Sequence, residues 1–228
     1  MTVVVITETR TEKDLAAVFP APDCTWVLVK TVEAAQAHAG VDLYIDLDFT
    51  NEPARRESLS RLLPALVMVN AVVPTLAEIG FPFVRINGWA GFLERPIHEV
   101  VIPDEQLGDS PEEQLGESMK LISRLKRLYE RSASAYRLVP DTPGMVSGRI
   151  LATIVNEAYY TWEADVSTIE EIDIAMKLGT NYPLGPFEWS RLIGLEKIAA
   201  LLVRLSAENT RYTPASSLLE ATNLLKYD

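Results

Sequence analysis

Histidine and cysteine, which titrate nearest to neutral pH, are rare in this sequence, which contains two histidines and one cysteine. His98 and Glu99 are neighbours in an apolar run that predicts a strand. Because successive side chains on a strand point to opposite faces, we do not expect these two to act as a pair. Cys24 follows Pro22-Asp23 and has no nearby histidine or lysine to activate its thiol, so we expect no nucleophilic role. We expect His38 to lie on a helix surface.

Two groups of polar residues could instead form a ligand site. Asp42, Asp46 and Asp48 are spaced as on a strand and lack a convergent histidine, so we expect solvent contacts or caps rather than a metal site. Asn87-Gly88 follows an apolar run and has two interpretations. It could be a polar site at a strand end, where α/β proteins place ligands, or a turn, which Asn-Gly favours. The sequence leaves both open.

Composition excludes several classes of protein. A net charge of −11 over 228 residues argues against general binding to nucleic-acid backbones. No apolar run reaches the roughly 18 residues of a membrane-spanning helix, and one cysteine excludes an intramolecular disulfide. The opening MTVVVITETR has no basic segment before its apolar run, so we expect a first strand rather than a signal peptide. We therefore expect a cytoplasmic protein with no nucleic-acid or membrane partner.

The region 1–103 repeats a short apolar run followed by a polar or helical connection, such as those at Glu12-Phe19, Val32-Ala39 and Pro53-Leu63. Continuous apolar runs indicate strands covered on both faces, so we predict a doubly wound, mostly parallel α/β sheet. The predicted strands are Val3-Ile6, Trp26-Val29, Leu43-Leu47, Leu66-Val69, Phe83-Ile86 and Ile97-Val101.

The region 104–140 predicts a connecting helix. Ser110-Pro111 with the following glutamates has the form of a helix start, and apolar residues including Met119 recur every three or four positions to about Ser132. We interpret its basic residues as a solvated face rather than an anion site; these are Lys120, Arg124, Lys126, Arg127 and Arg131.

The region 141–228 carries only helical patterns. Ile150 and the apolar residues that follow form one stripe, and Pro186 opens a later helix. We expect the aromatic residues of this region to lie in a core or an interface; these are Tyr159, Tyr160, Trp162 and Trp189.

Ordered motifs in this last region resemble the C-terminal domain of 3-hydroxyacyl-CoA dehydrogenases. They read D-x-P-G-M-V-x-x-R-I-L, N-E-A-Y, E-E-I-D-x-A-M-K-x-G, Y-P-x-G-P-F-E-W, I-G-L and R-Y-x-P. The resemblance implies a Rossmann-like N-terminal domain that binds NAD, a helical domain that dimerises, and an acyl-CoA substrate between them. The short region from Lys30 to Asp42 implies a shortened version of the first domain.

The resemblance also implies where the cofactor loop should be. Its three glycine positions are filled by Thr7, Thr9 and Glu12, whose side chains add bulk and negative charge where a pyrophosphate would approach the backbone. We therefore expect no NAD binding and no other cofactor.

The family's catalytic positions are replaced in the same way, apart from one. Glu99 occupies the position of the family's glutamate. Asn87 occupies the position of the family's histidine, and Val72 that of a serine. Gly148 occupies the position of an asparagine, beside the retained Arg149. Asparagine does not exchange a proton near neutral pH, so the acid–base group is missing. Glu99 could be a relic beside a retained pocket, or simply a strand glutamate paired with an arginine or exposed at an edge.

Three hypotheses for function follow. The first is a pseudoenzyme of acyl-CoA metabolism that has lost NAD binding and hydride transfer, and that binds an acyl-CoA-like ligand or serves as a subunit of a homodimer. The second is an active NAD-dependent 3-hydroxyacyl-CoA or 3-hydroxybutyryl-CoA dehydrogenase with a divergent site. The third is a pure homodimeric interaction module.

Overall fold

The computed structural model describes residues 1–11, 24–103, 111–131 and 134–224. The chain divides into two compact units, which we call the sheet unit (Met1–Thr142) and the helical unit (Pro143–Asp228). The predicted helix Glu12-Phe19, the Glu12 loop position and the Ser110 cap lie outside the described residues. In the described part, no helix is both long and apolar enough to cross a membrane.

The sheet unit is built on seven strands in the order β2-β1-β3-β4-β5-β6-β7. Every neighbouring pair is parallel except β5 with β6. The chain leaves β1 towards β2 and returns past it to β3, so the order reverses between β1 and β3. The strands are β1 (Thr2–Ile6), β2 (Thr25–Val29), β3 (Leu43–Asp46), β4 (Leu66–Asn70), β5 (Val84–Ile86), β6 (Ile97–Val101) and β7 (Ala135–Leu138). The predicted doubly wound sheet is confirmed.

The core of this sheet comes from the same apolar runs that predicted the strands. Val3, Val5, Ile45 and Met68 are fully or almost fully buried, because parallel strands are covered on both faces. Strand β7 was not predicted. Its alternating, largely exposed residues at the sheet edge give no continuous apolar run to detect.

Four helices of the sheet unit are described, and the three that were predicted are shorter than the sequence patterns indicate. They are α1 (Val32–Gln36), α2 (Pro53–Ser60), α3 (Leu76–Ile79) and α4 (Pro111–Tyr129). Helix α3 is too short for an apolar period and was not predicted, although Thr75 and Glu78 form a capping box at its start. In α4, Leu125 and Leu128 are buried as the period predicts, whereas Met119 is 55% exposed.

The helical unit contains no strand within its described residues, in agreement with the predicted all-α region. Its helices are α5 (Ser147–Glu163), α6 (Ile169–Thr180), α7 (Pro186–Ile193), α8 (Leu195–Ser206) and α9 (Ser216–Leu224), with a short 3₁₀ turn at Thr210–Tyr212. The predicted apolar stripe of α5 is buried at Val155 and Tyr159, while Ile150, predicted on the same stripe, is largely exposed.

Candidate functional site

The candidate site of the sheet unit lies at the carboxyl ends of β1, β3, β4 and β5. Because these four strands are parallel, the residues that follow them meet at one edge of the sheet. The edge includes the β1–β3 reversal, the position where doubly wound folds bind ligands. It brings together Thr7, Thr9, Asp48, Val72 and Asn87.

The turn after β1 is closed by a carboxylate that belongs to the chain itself. The Glu8 N–H donates to Asp48 Oδ2 at 2.6 Å. The Thr7 and Thr9 hydroxyls lie 3.3 and 3.4 Å from Asp48 Oδ1, and the Thr9 N–H donates to the Thr7 hydroxyl. Asp48 therefore receives the donors that a bound anion would receive from this turn.

This turn does not fit the pyrophosphate of a dinucleotide. A pyrophosphate needs exposed backbone N–H groups and glycines that let it approach, whereas Thr7 and Thr9 carry side chains and Asp48 carries negative charge there. Sequence reasoning placed Thr7 and Thr9 correctly after the first strand. It missed the role of Asp48, because the pairing spans 40 residues of sequence.

The other two aspartates of this region have separate structural partners. Asp42 accepts a hydrogen bond from the Thr2 N–H. Asp46, for which we expected a solvent contact or a cap, is instead fully buried and accepts two hydrogen bonds from Arg55, at 2.7 and 2.8 Å. Burial raises the pKa of the Asp46 carboxyl, and the paired guanidinium opposes that shift. Within the described ranges, no three His, Cys, Asp or Glu side chains are arranged to hold a metal ion.

A chain of hydrogen bonds joins the ends of β3, β4 and β5. The Asn70 side-chain amide donates to the Leu47 carbonyl at 3.0 Å, and its Oδ1 accepts from the Gly88 N–H at 2.9 Å. Arg10 reaches the same place, where it donates to the Gly88 carbonyl and pairs with Glu94. A methyl group on Gly88 would lie 2.8 Å from Asn70 Cγ, so glycine is required there by close approach.

Asn87 follows β5 and forms a turn, as one of the two interpretations predicts; the interpretation as a polar ligand site stays a prediction. Its side chain is buried, and Oδ1 accepts a hydrogen bond from the Trp89 N–H at 3.3 Å. Val72 is buried as well, and its carbonyl accepts from the buried Arg85. Neither side chain can transfer a proton.

Glu99 and His98 lie on opposite faces of β6, as the strand pattern predicted. Glu99 is half-buried, and its backbone is in register with Arg137 on the neighbouring strand β7. His98 is buried, with Nε2 2.8 Å from the Leu93 carbonyl and Nδ1 3.1 Å from the Tyr129 hydroxyl. A carbonyl only accepts, so Nε2 carries the proton and Nδ1 of the neutral ring accepts from Tyr129.

The stability of the sheet unit should fall as the pH drops through the range where histidine titrates. Burial lowers the pKa of His98, so the folded state holds this ring neutral while the unfolded state gains a proton below about pH 6.5. The contribution is complete above that value and is lost as the pH falls. His98→Gln should flatten the dependence of the urea midpoint on pH between about pH 7.5 and 5.5, where other side chains titrate less.

His38→Gln is the matched control, because it removes the other histidine of the chain. We expect its pH dependence to match that of the unsubstituted protein. Parallel curves for His98→Gln and the unsubstituted protein would show that His98 does not carry the effect.

The fourth family position, Gly148, lies in the helical unit. It is buried in the first turn of α5. Arg149 beside it donates two hydrogen bonds to the Pro143 carbonyl, and its guanidinium lies 5.7 Å from the centre of the Tyr212 ring. Arg149 therefore has a packing role within this unit, and Gly148 offers no polar atom beyond its backbone.

The motif residues of the helical unit hold helices together. The buried carboxylate of Asp173 on α6 accepts the N–H groups of Phe187 (2.8 Å) and Glu188 (3.2 Å), which start α7. Glu188 in turn accepts from the Gly185 N–H and pairs with Lys177 at 2.6 Å. A carboxylate at a helix start satisfies orphan donors and suits the helix dipole.

Asn156, from the N-E-A-Y motif, has a similar role in another part of the same unit. It is buried on α5, donates to the Thr213 carbonyl and accepts from the Ala215 N–H, both at 2.8 Å. The aromatic residues also pack here: Tyr159, Trp162 and Phe187 form one cluster of rings. Tyr160 and Trp162 are partly exposed. The motifs that carry the resemblance are therefore structural.

Comparison with known proteins agrees with the motifs. Residues 144–226 match the family model for the C-terminal domain of 3-hydroxyacyl-CoA dehydrogenase. The chain is 44% identical over 91 residues to a 3-hydroxybutyryl-CoA dehydrogenase of Clostridioides difficile, and 40% identical over 82 residues to the 3-hydroxyadipyl-CoA dehydrogenase of Escherichia coli K12. These matches cover 38% and 35% of this chain, and 32% and 17% of those relatives' lengths.

The fold extends the likeness beyond the matched segment. The crystal structure of (S)-3-hydroxybutyryl-CoA dehydrogenase PaaH1 from Ralstonia eutropha aligns with a TM-score of 0.66, over 96% of this chain and 92% of that one. Its sequence identity is 19%, so this likeness shows a shared fold and nothing further. The helical unit is therefore similar, over residues 144–226, to the C-terminal domain of 3-hydroxyacyl-CoA dehydrogenases.

Proposed function

We propose that this 3-hydroxyacyl-CoA dehydrogenase-like protein does not bind NAD and does not transfer hydride. The observation that carries the proposal is the Asp48 carboxylate bound in the turn after β1, where Glu8, Thr7 and Thr9 surround it. An arriving pyrophosphate would have to displace a carboxylate that is already hydrogen-bonded. It would also meet like charge.

The replaced catalytic positions support the same proposal. Hydride transfer to or from a hydroxyl needs a group that moves a proton, and Asn87 holds its side chain in a turn with Trp89. Buried His98 does not take over that task, because its ring nitrogens already have partners in the Leu93 carbonyl and the Tyr129 hydroxyl. Glu99 is the one retained position, and it favours the second hypothesis, an enzyme with a divergent site.

Titration of the protein with NAD and NADH separates the two hypotheses. We expect no saturable heat in isothermal titration up to about 1 mM nucleotide, which corresponds to less than about 4 kcal/mol of binding free energy. An active 3-hydroxybutyryl-CoA dehydrogenase, titrated in the same buffer, serves as the positive control. A micromolar dissociation constant would overturn the proposal.

An activity assay gives a second, independent readout. We expect no oxidation of NADH with acetoacetyl-CoA above the rate without protein. Turnover that is lost in Glu99→Gln would establish the divergent-enzyme hypothesis, because that substitution keeps the shape of the side chain and removes only its charge.

The proposal also gives the protein a role as a cytoplasmic homodimer of acyl-CoA metabolism, either with an acyl-CoA-like ligand or as a structural subunit. Support comes from exposed apolar side chains of the helical unit. Ile174 and Leu178 lie one turn apart on α6 and are 52% and 83% exposed. Residues four apart share one face of a helix, and isologous contact of such a face is the commonest way to form a dimer.

We expect Leu178→Glu to shift sedimentation equilibrium from dimer towards monomer, because a charge would be buried against the second copy. Ala200→Glu, which adds the same charge at an exposed position on α8, is the matched control and should leave the dimer intact. A monomer in the unsubstituted protein at high concentration would remove the dimer from the proposal. It would also exclude the pure interaction module.

A further inference from the structure

The sheet unit has a cavity of about 420 Å³ at the edge opposite the candidate site. Its wall includes the residues that begin β1, β3 and β4, so it lies at the amino ends of these parallel strands. The other wall is the last turns of α4 and the residues just beyond them. The lining residues are Met1, Asp42, Leu43, Leu66, Arg124, Arg127, Leu128 and Arg131.

The charges around this cavity are unbalanced. Arg124 and Arg127 are three positions apart on one side of α4, and Arg131 lies in the turn just beyond its end; all three line the cavity. One carboxylate, Asp42, faces them, and its Oδ2 already accepts the Thr2 N–H at 2.8 Å. Three guanidinium groups therefore stand against a single carboxylate, in a chain whose net charge is −11.

Several other arginines of the chain have carboxylate partners, whereas Arg56 and Arg149 donate to backbone carbonyls. Arg10, Arg55, Arg85 and Arg204 each form an ion pair with an aspartate or glutamate. Among the described residues, none of the three cavity arginines lies within ion-pair distance of a carboxylate; Arg124 donates to the Pro64 carbonyl instead. The sequence predicts a solvated face here, and Arg127 and Arg131 are indeed exposed; the cavity beside them has no signature in the helical period.

The floor of the cavity is apolar. Leu43, Leu66 and Leu128 are buried residues that contribute to its lining. The volume falls in the range of about 300 to 1,000 Å³ typical of small-molecule sites. A ligand that fits would place an anionic group among the arginines and an apolar group against the leucines.

We infer that this cavity binds a small organic phosphate. The guanidinium fork matches both carboxylate and phosphate oxygens, but the excess of two positive charges in the lining matches a phosphate dianion better than a single carboxylate. The site does not depend on the proposed loss of NAD binding, since it lies at the other end of the sheet.

The test uses phenyl phosphate as the probe, titrated into the whole protein by calorimetry at constant ionic strength. Arg127→Gln and Arg131→Gln are suitable variants because both side chains are exposed and far-ultraviolet circular dichroism can verify folding. We expect saturable binding that weakens by about tenfold or more with each arginine removed, the scale of a charge-assisted hydrogen bond. Lys126→Gln, with the same change in charge on an exposed side chain outside the lining, should bind as the unsubstituted protein does.

Three outcomes would overturn the inference. One is no saturable binding up to about 10 mM probe. Another is equal weakening by Lys126→Gln and the arginine variants, which would indicate general attraction to positive charge. The third is benzoate binding as tightly as phenyl phosphate, which would show that the arginines do not select a phosphate. Inorganic phosphate should bind more weakly than phenyl phosphate, because it leaves the leucines uncovered; equal affinity would contradict the apolar part of the site.

Discussion

Replacing Gly185 with alanine should destabilise the helical unit by about 3 kcal/mol, at the upper end of the usual cost of overpacking. The added methyl group would lie 2.2 Å from Asp173 Oδ1 and 2.4 Å from its Cγ. Asp173 cannot simply move away, since its carboxylate holds the N–H groups of Phe187 and Glu188 at the start of α7. Either the clash persists or the cap is lost, and a lost cap alone costs about 1 kcal/mol.

Gly179→Ala is the matched control for this substitution. Gly179 lies in α6, and a methyl group there would meet nothing within 4 Å. The same change should therefore stabilise the protein slightly, by up to about 1 kcal/mol, since alanine is the better helix former. The same glycine-to-alanine change is thus expected to lower the stability at position 185 and to raise it slightly at position 179.

The measurement should resolve the two units, because a two-unit chain need not unfold in one step. Native-state hydrogen exchange at the Phe187 and Glu188 amides reports directly on α7. We expect faster exchange there in Gly185→Ala and unchanged or slower exchange in Gly179→Ala. A Gly185→Ala protein within about 0.5 kcal/mol of the unsubstituted one would show that the helices can separate to admit a methyl group.

The second large effect concerns Asp141, which supports a buried arginine in the sheet unit. Arg85 has no solvent exposure and donates to the Ala71 carbonyl at 2.9 Å and to the Val72 carbonyl at 3.2 Å. Its guanidinium also pairs with Asp141, which additionally accepts the Leu76 N–H at the start of α3. Burial lowers the pKa of Arg85, and Asp141 opposes that shift.

We expect Asp141→Asn to cost about 3 kcal/mol, because it leaves a buried cation without its counter-charge. The lower end of the usual range applies, since the Asp141 side chain is itself 30% exposed. Glu57→Gln is the control: it breaks the Arg61–Glu57 pair, whose side chains are 66% and 70% exposed, and it should change stability by less than about 0.5 kcal/mol. Urea unfolding of the sheet unit measures both.

A double variant tests the cause of the Asp141 effect. Arg85→Met combined with Asp141→Asn removes the charge as well as its partner, so it should cost less than the two single changes added together. Strict additivity would contradict the proposed cause. It would mean that Asp141 acts through the Leu76 cap alone.

Much of the sheet could be predicted because its strands are buried on both faces. The six predicted runs all correspond to strands, since burial leaves continuous apolar sequence at Val3-Ile6 and Leu66-Val69 alike. Strand β7 and helix α3 could not be predicted. One is an exposed edge strand and the other is four residues long, so neither leaves a periodic apolar signal.

The position of the candidate site at the strand ends could be predicted, but the hydrogen bonds within it could not. The sequence located Thr7, Thr9 and Asn87 at strand ends, and the structure brings them to one edge of the sheet. The contacts that decide the chemistry join distant segments, such as Glu8 with Asp48 and Gly88 with Asn70. Such pairs have no local signature, although Asn70 at the end of an apolar run is a polar residue that could have been singled out.

The family motifs differ from these contacts, because they are visible in the sequence while their physical role is visible only in the structure. Asp141, Asn156 and Asp173 each stand in a motif that carries the resemblance to 3-hydroxyacyl-CoA dehydrogenases. All three are hydrogen-bonding residues that fasten one segment to another within their own unit. The motifs therefore report on the architecture, and the roles of Glu99, Asn87, Val72 and Gly148 in catalysis stay predictions.

The carboxylate of Asp48 has a consequence for how the sheet unit responds to its surroundings. A turn that is ordered by a diffusible ligand gains stability with ligand concentration, through mass action. A group attached to the same chain instead has an effective concentration set by the geometry of its tether. If the turn binds no nucleotide, as proposed, its order would therefore not depend on the concentration of NAD or NADH.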